Sequence, residues 1–263
     1  MKIVLLFLIP LLIFSKVHYA KVEPYEHVMV KSSVSGLVLE ADVRAEGTMV
    51  EGKSIVHIDD RLDRLNLASV KKSVFLLHQM LDINKDIAKS LKSSMERQEE
   101  YYHRINKLST ASKTQKDNAY NVFASAKTQY LGIKEKIVNL EKQILDINYK
   151  IAQLEDIVLK KSLVLEHKYL YKLMVRKGDF VAPGSVLAQV MDTSRAKLVL
   201  FLETDEVENI EKKILYLDNK KTDYKVNKIW KVSDEKFISS YRAEIVIPSP
   251  KGLFSKLMKV EIK

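Results

Sequence analysis

The chain has 263 residues, of which 46% are hydrophobic and 30% charged, and its formal net charge is +10. It contains no cysteine, which excludes disulfides, thiolate catalysis, zinc–thiolate sites and a lipidated N-terminal Cys. The lysines spread along helix faces and do not form a stripe interleaved with stacking aromatics. That argues against nucleic acid as a partner and leaves a solvated basic surface or attraction to an anionic membrane.

Met1-Lys2 is a short positive start, Ile3 to Phe14 is almost continuously apolar, and Ser15 to Ala20 is more polar. The apolar run is about twelve residues, short of the ~20 that a spanning helix needs, so residues 1–20 read as a secretory signal cleaved after Ala20. An uncleaved N-terminal anchor is the alternative.

Short strands are predicted at Val28-Met29-Val30, Gly36-Leu37-Val38-Leu39 and Ser54-Ile55-Val56-His57-Ile58. Between them lies Gly47-Thr48-Met49-Val50-Glu51-Gly52-Lys53-Ser54-Ile55, running on to Asp59. A second copy of that glycine pattern, Gly178-Asp179-Phe180-Val181-Ala182-Pro183-Gly184-Ser185-Val186-Leu187, runs on to Asp192. A repeat this far apart suggests one small β-module cut in two, with residues 21–60 and 162–193 as its halves. Residues 21–60 could also lend a strand to the C-terminal barrel. Neither half can bury a core alone, so the two should pack face to face as a small β-sandwich. The chain has only seven glycines, and five of them (Gly36, Gly47, Gly52, Gly178 and Gly184) fall in or beside the repeats, where tight turns need them.

Residues 61–161 carry no proline and a single glycine, Gly132. Apolar residues recur at steps of three and four: Leu76, Met80, Ile83, Ile87, Leu91 and Met95 going out, and Ala119, Val122, Ala126, Tyr130, Ile133, Ile137, Leu140, Ile144, Ile147, Ile151, Leu154 and Val158 coming back. That period is a left-handed coiled-coil seam, and its narrowness favours a projecting antiparallel hairpin over a compact bundle. Ser109-Thr110-Ala111-Ser112 breaks the pattern, and a Ser or Thr there can cap the returning helix. Towards this tip the seam weakens to Ser94, Gln98 and Tyr101.

The second half-module should contain strands at Leu163-Val164-Leu165, Tyr171 to Val175 and Val186 to Val190. In residues 194–263 the pattern changes to several short alternating runs. Lys197 to Glu203, Tyr224 to Trp230, Tyr241 to Ile247 and Met258 to Ile262 read as strands, and Asp205 to Lys213 as a short helix or turn. These suggest a small antiparallel barrel with the lone Trp230 in its core.

Catalytic signatures are missing. There is no nucleophile elbow, phosphate loop or His-Glu-x-x-His, and His18, His27, His57, His78, His103 and His167 are scattered without metal-ligand spacing. Thr204-Asp205-Glu206 resembles the setting of a carrier lysine, with Glu206 where the lysine would stand. Met49, Met174 and Met191 could gather and bind Cu(I), although core filling is the simpler reading. No enzyme, cofactor or metal is therefore expected.

In this order the elements resemble the membrane fusion proteins, the periplasmic adaptor subunits of tripartite efflux pumps and secretion systems. The second repeat matches the family run Gly-x-x-Val-x-x-Gly-x-x-Leu at Gly178, Val181, Gly184 and Leu187. The first repeat has Gly47, Val50 and Gly52, and the family's Ala-Pro-x-x-Gly opening of the second half is replaced by Leu165-Glu166-His167-Lys168-Tyr169. At the tip, Arg104, Leu108 and Ser112-Lys113, with Asp117 and Ala119 following, resemble the part of the family's hairpin that docks on an outer-membrane channel. The resemblance implies a multi-domain α+β protein: a split lipoyl-like β-sandwich, an inserted α-helical hairpin and a small β-barrel. It further implies a periplasmic homo-oligomer, a hexameric ring, that joins an inner-membrane transporter of the RND or ABC type to an outer-membrane channel. A coiled-coil envelope protein without a transport role is the competing expectation.

Overall fold

The computed structural model describes residues 16–233, 239–250 and 254–263. The N-terminal apolar run lies outside the described residues. The chain forms two compact units. One holds the described residues up to Ser33 together with Val38–Val56 and Leu163–Lys263, and the other holds Val34–Leu37 and His57–Ser162.

The first unit is built on two long strands, β1 (Val17–Lys31) and, much later, β8 (Val186–Leu202). They pair antiparallel from Val22↔Leu198 to Lys31↔Val186, with irregularities after Pro24 and Val30. Pro24 has no N–H to give a ladder, so a break beside it is expected. The intervening strands are β2 (Gly36–Ala41), β3 (Thr48–Val50), β4 (Lys53–Ile58), β5 (Ser162–Leu165), β6 (Lys168–Leu173) and β7 (Phe180–Val181). After β8 come β9 (Leu215–Leu217), β10 (Lys220–Thr222), β11 (Lys228–Ser233), β12 (Tyr241–Pro248) and β13 (Leu257–Ile262). The larger sheet runs β10-β9-β13-β1-β8-β12-β11, with β6 joining β8 and β3 joining β6. A four-stranded sheet has the order β5-β4-β2-β7.

Apolar alternation drives the core. Ala196, Leu198, Leu200 and Leu202 on β8 point one way with period two and meet Ala243, Ile245 and Ile247 of β12, Val260 and Ile262 of β13, and Ala20 and Val22 of β1. The boundary expected at residues 193 and 194 falls inside β8, because the alternation of its second half continues the strand that the glycine repeat began.

The two repeat-bearing segments are stitched together by backbone pairs. Ser32 donates to Ser185 O and accepts from Gly184 N–H, both at 2.8 Å, and Val38 donates to Asp179 O while accepting from Gly178 N–H. β3 pairs with β6 from Thr48↔Leu170 to Val50↔Lys168. The aspartates that end the two repeats make the same local turn. Asp59 accepts from the Arg61 N–H and Asp192 from the Ser194 N–H, each two residues on. Both carboxyls are held at about 2, Asp59 chiefly by the Arg61 guanidinium and Asp192 chiefly by the Ser194 hydroxyl and then the Lys168 ammonium.

Two expectations for the C-terminal strands change. Tyr224 to Asn227 is not strand, since the Asn227 side chain accepts from Val246 N–H at 2.6 Å and takes the place of a ladder carbonyl. Trp230 is not a core residue. It is half-buried on β11, which ends the strand order, with Lys228 Nζ at 4.2 Å and the Arg242 guanidinium at 4.9 Å from its ring.

The second unit is an antiparallel helix pair, α1 (Arg61–Lys107) and α2 (Lys113–Lys160), about 70 Å long at 1.5 Å per residue. A one-turn helix, α3 (Thr204–Val207), belongs to the first unit. The returning seam runs as expected from Ala126 onward, with Leu140, Ile144 and Leu154 buried. The outgoing seam differs. Val74, Leu77, Leu81 and Asn84 face α2, whereas the expected Leu76, Met80, Ile83 and Ile87 are 43–59% exposed. α1 carries two adjacent heptad stripes, and periodicity cannot say which one its own partner covers.

The base of the pair is closed by Lys161, whose side chain is 9% exposed. Its ammonium donates to Ser35 O and Asp59 O, both at 2.9 Å, and sits 3.3 Å from Asp63. Gly36 leaves room for it, because a Cβ there would fall 2.6 Å from Ile58 Cγ2 and 3.1 Å from Lys161 Nζ.

Lys161→Met should lower stability by about 2–3 kcal/mol, since two carbonyls and a carboxylate lose a charged donor. Gly36→Ala should also destabilise, and urea titration followed by helical circular dichroism reads both. Acid should act through Asp192: its contribution is complete above about pH 4 and lost as the pH falls towards 2, because the folded group protonates later than the unfolded one. Asp192→Asn should flatten the denaturation midpoint across that range, and an unchanged pH profile would refute the assignment.

Candidate functional site

Three surfaces offer recognition chemistry. The first is the hairpin tip. Leu108 caps the end of α1, its N–H closing onto Ile105 O, and Ser112 caps the start of α2. Ser112 Oγ accepts from Gln115 N–H at 3.2 Å, and Gln115 Oε1 accepts from Ser112 N–H at 2.8 Å. This reciprocal pair satisfies two otherwise orphaned donors and fixes where the second helix starts. Ser112 therefore shapes the turn through its own hydrogen bonds. Leu108 is half exposed and lines a groove of about 440 Å³ with Tyr101, Ile105, Ala111, Ala119 and Val122. Arg104 lies outside that lining, one turn back, 3.9 Å from Glu100, with its guanidinium largely in solvent. Below it, Tyr102 stacks on Phe123 with centroids 6.1 Å apart and meets Tyr120 edge-on. These rings hold the last turns of the pair together where the aliphatic seam stops. A shallower polar groove of about 390 Å³, lined by Ser94, Gln98, Asn121 and Gln129, sits where the sequence shows a polar seam.

The second surface is the outward face of the helices. On α1 the exposed stripe is Leu76, Met80, Ile83 and Ile87. On α2, Leu131, Val138, Leu145 and Leu159 are exposed and follow a spacing of seven, with Ala152 at the intervening position. Apolar residues at heptad spacing have the period with which one helix packs on another.

The third surface is a half-open cleft of about 720 Å³ in the first unit. Across adjacent strands, Met49 faces Tyr169, Tyr169 faces Met191 and Met191 faces His27, so the four side chains form one row on one side of the sheet. Thr193 Oγ1 lies 3.3 Å from Met49 Sδ, and Tyr171, Pro24 and Phe254 complete the apolar wall. Met174 does not line this cleft, so the expected grouping of Met49, Met174 and Met191 is reduced to two. The turn glycines Gly47, Gly52, Gly178 and Gly184 have φ between +61° and +97° and shape the fold, not a recognition surface.

MacA from Actinobacillus actinomycetemcomitans matches with a TM-score of 0.65 at 16% identity, over 95% of this chain and 78% of that one. The membrane fusion protein Spr0693 from Streptococcus pneumoniae R6 matches with a TM-score of 0.63 at 13% identity, over 95% of this chain and 99% of that one. The fold is that of the membrane fusion proteins. A chimeric MacA carrying the Pseudomonas aeruginosa MexA α-hairpin also matches, with a TM-score of 0.50 at 16% identity, over 95% and 80% of the two chains. No protein-family model matches the sequence, and no curated protein does. At such identities the likeness to the membrane fusion proteins is one of backbone path.

Sequence periodicity found the returning seam and the tip. It missed the free stripe on α1, because both stripes carry the same signal. It also missed the cleft, which exists only once β3, β6, β8 and β1 lie side by side. Ser112→Ala should remove the α2 cap at a cost of about 1 kcal/mol. Hydrogen exchange at the amides of Gln115 and Lys116 should then speed up severalfold, while exchange near Leu140 and Ile144 stays as it was.

Proposed function

We propose that this protein is a periplasmic adaptor that joins an inner-membrane transporter to an outer-membrane channel in a tripartite efflux or secretion system. The observation that carries the reading is the helix pair: about 70 Å of antiparallel coiled coil that leaves heptad stripes of both helices in solvent. A chain of the membrane fusion protein fold that keeps such stripes exposed has a surface made for other helices.

In such an adaptor residues 21–60 and 162–193 are the halves of a lipoyl-like domain, residues 61–161 the hairpin, and residues 194–263 a β-barrel. Copies pack side by side, with the α1 stripe at Leu76, Met80, Ile83 and Ile87 against the α2 row at Leu131, Val138 and Leu145 of the next copy. Such contacts are heterologous and close into a ring when the rotation allows, a hexamer by likeness to the family. The tips then form the rim that meets the outer-membrane channel. Arg104 supplies an exposed cation with five donors in a fixed fork, Leu108 an apolar contact, and Ser112 the turn that sets their spacing. The lipoyl-like and barrel parts bind a transporter of the RND or ABC type, which supplies the energy. The role is mechanical: the adaptor seals and aligns a path, and no bond is made or broken.

Two variants test the two halves of this reading. Arg104→Asp should abolish co-purification with the outer-membrane channel after crosslinking in cells while leaving self-association intact. Ile83→Asp with Ile87→Asp should do the reverse at the first step, abolishing adaptor–adaptor crosslinks while helical circular dichroism is retained. Wild-type efflux or secretion in both variants would refute the proposal.

A further inference from the structure

Met49, Tyr169, Met191 and His27 stand directly opposite one another across β3, β6, β8 and β1. Paired residues of antiparallel strands point to the same face, so all four side chains rise from one side of the sheet. Two of them carry thioethers and one an imidazole. β6 separates the strands that hold the two methionines, yet Met49 reaches β8, because its Sδ accepts from the Thr193 hydroxyl at 3.3 Å. Thr193 is two residues beyond Met191 on β8, and both line the cleft. The Tyr169 hydroxyl lies beside Gly47, where a Cβ would meet it at 3.8 Å. Gly47 is towards the Leu170 end of the register and Thr193 towards the Lys168 end. The Tyr169 ring thus leans away from Thr193 and leaves the path from Met49 to β8 open. His27 flanks Met191 from the other side, on β1, and also lines the cleft. Two sulfurs and one ring from three strands therefore converge over β8.

We propose that Met49, Met191 and His27 bind a soft monovalent metal ion, Cu(I) or Ag(I). Thioether sulfur is a soft, uncharged donor that selects Cu(I) over hard divalent ions, and imidazole suits copper equally. Zn(II) is held by thiolate, imidazole and carboxylate, and among the described residues no group of three His, Cys, Asp or Glu side chains is placed to hold a metal. Little movement is needed. A methionine has three rotatable bonds, and a thioether is a weak acceptor, so the contact with Thr193 is readily given up. Met49 is 49% exposed and the cleft is half-open, so an ion can enter and leave. β1, β6 and β8 are already joined by their own ladders, so the fold does not wait for the metal. Histidine spacing along the chain gives no sign of this site, because its donors come from distant segments and include only one histidine. The proposal goes beyond the adaptor reading and is independent of it, since it uses the first unit alone and holds whatever the helix pair meets.

The test uses the purified full chain. Anaerobic titration with Cu(I) against a chromophoric chelator should show one saturable equivalent per chain that Zn(II) does not displace. In carbon-13 spectra of the methionine methyls, one equivalent of Ag(I) should shift Met49 and Met191 and leave Met80 and Met95, on α1, in place. Met49→Leu with Met191→Leu keeps side-chain volume and removes both sulfurs. That double variant should melt like the parent and bind Cu(I) at least about a hundredfold more weakly. His27→Gln should weaken binding as well, and Met174→Leu should leave it unchanged. Absence of saturable Cu(I) binding, displacement by Zn(II), unchanged affinity in the double leucine variant, or Ag(I) shifts confined to other methionines would each overturn the proposal.

Discussion

The chain leaves for the helix pair and comes back at one closed point, and the second unit depends on that closure. Ile58 N–H donates to Lys161 O at 2.7 Å, His57 Nδ1 lies 2.9 Å from Ser162 Oγ, and the Lys161 ammonium ties Ser35, Asp59 and Asp63 into the same knot. An excursion that must end beside its starting residue has to double back. Helices of 47 and 48 residues do so without leaving an unmatched turn. A buried ammonium is costly unless its donors are used, and here two carbonyls and a carboxylate take them. Gly36 is the steric counterpart, because the space that a Cβ would fill holds Ile58 and the lysine.

Within the first unit, the equivalent constraint is the pairing of β1 with β8. The two strands are the longest among the described residues, and each contacts neighbours on both edges. Each also changes function along its length. The half of β8 near Leu187 and Ala188 completes the glycine-repeat module, and the half from Ala196 to Leu202 supplies the core shared with β12 and β13. A continuous strand thus joins the two sets within one sheet and one compact unit.

For an adaptor of the kind proposed, function lies in surfaces that the fold leaves uncovered. The α1–α2 seam is covered by Leu81, Leu140 and Ile144, and Asn84 sits in the same row with its amide donating to Met80 O and its Oδ1 buried. A polar residue in a coiled-coil core costs stability and penalises slipped registers, which suits a pair whose tip must be placed correctly. Beside that seam runs a second stripe with the same period and no cover. Placing both on one helix lets the same residues that fold the hairpin define the direction from which another helix can approach.

Much was legible in the sequence. The glycine repeats, the break near Ser112 and the returning seam are local patterns, and local patterns are set by backbone preference and by apolar period along one element. A Ser or Thr cap at the break is of the same kind, and the structure adds Gln115, three residues on, as its reciprocal partner. What the sequence could not give was any choice between equal local signals or any meeting of distant strands. The stripe at Leu77 and Leu81 and the stripe at Met80 and Ile83 have the same period, and only the position of α2 decides which is core. Trp230 has the composition of a core residue, but at the end of the strand order it is half-buried between two cations. The row of His27, Met191, Tyr169 and Met49 comes from segments far apart in the chain, and only the register of three strand pairs brings them together. Sequence alone thus determined the helices, their turn and the presence of most strands, because those depend on neighbours along the chain, while the extents of β1 and β8 were set by the strands they pair with. Tertiary structure decided which faces are buried and which remain open, because burial depends on what lies opposite.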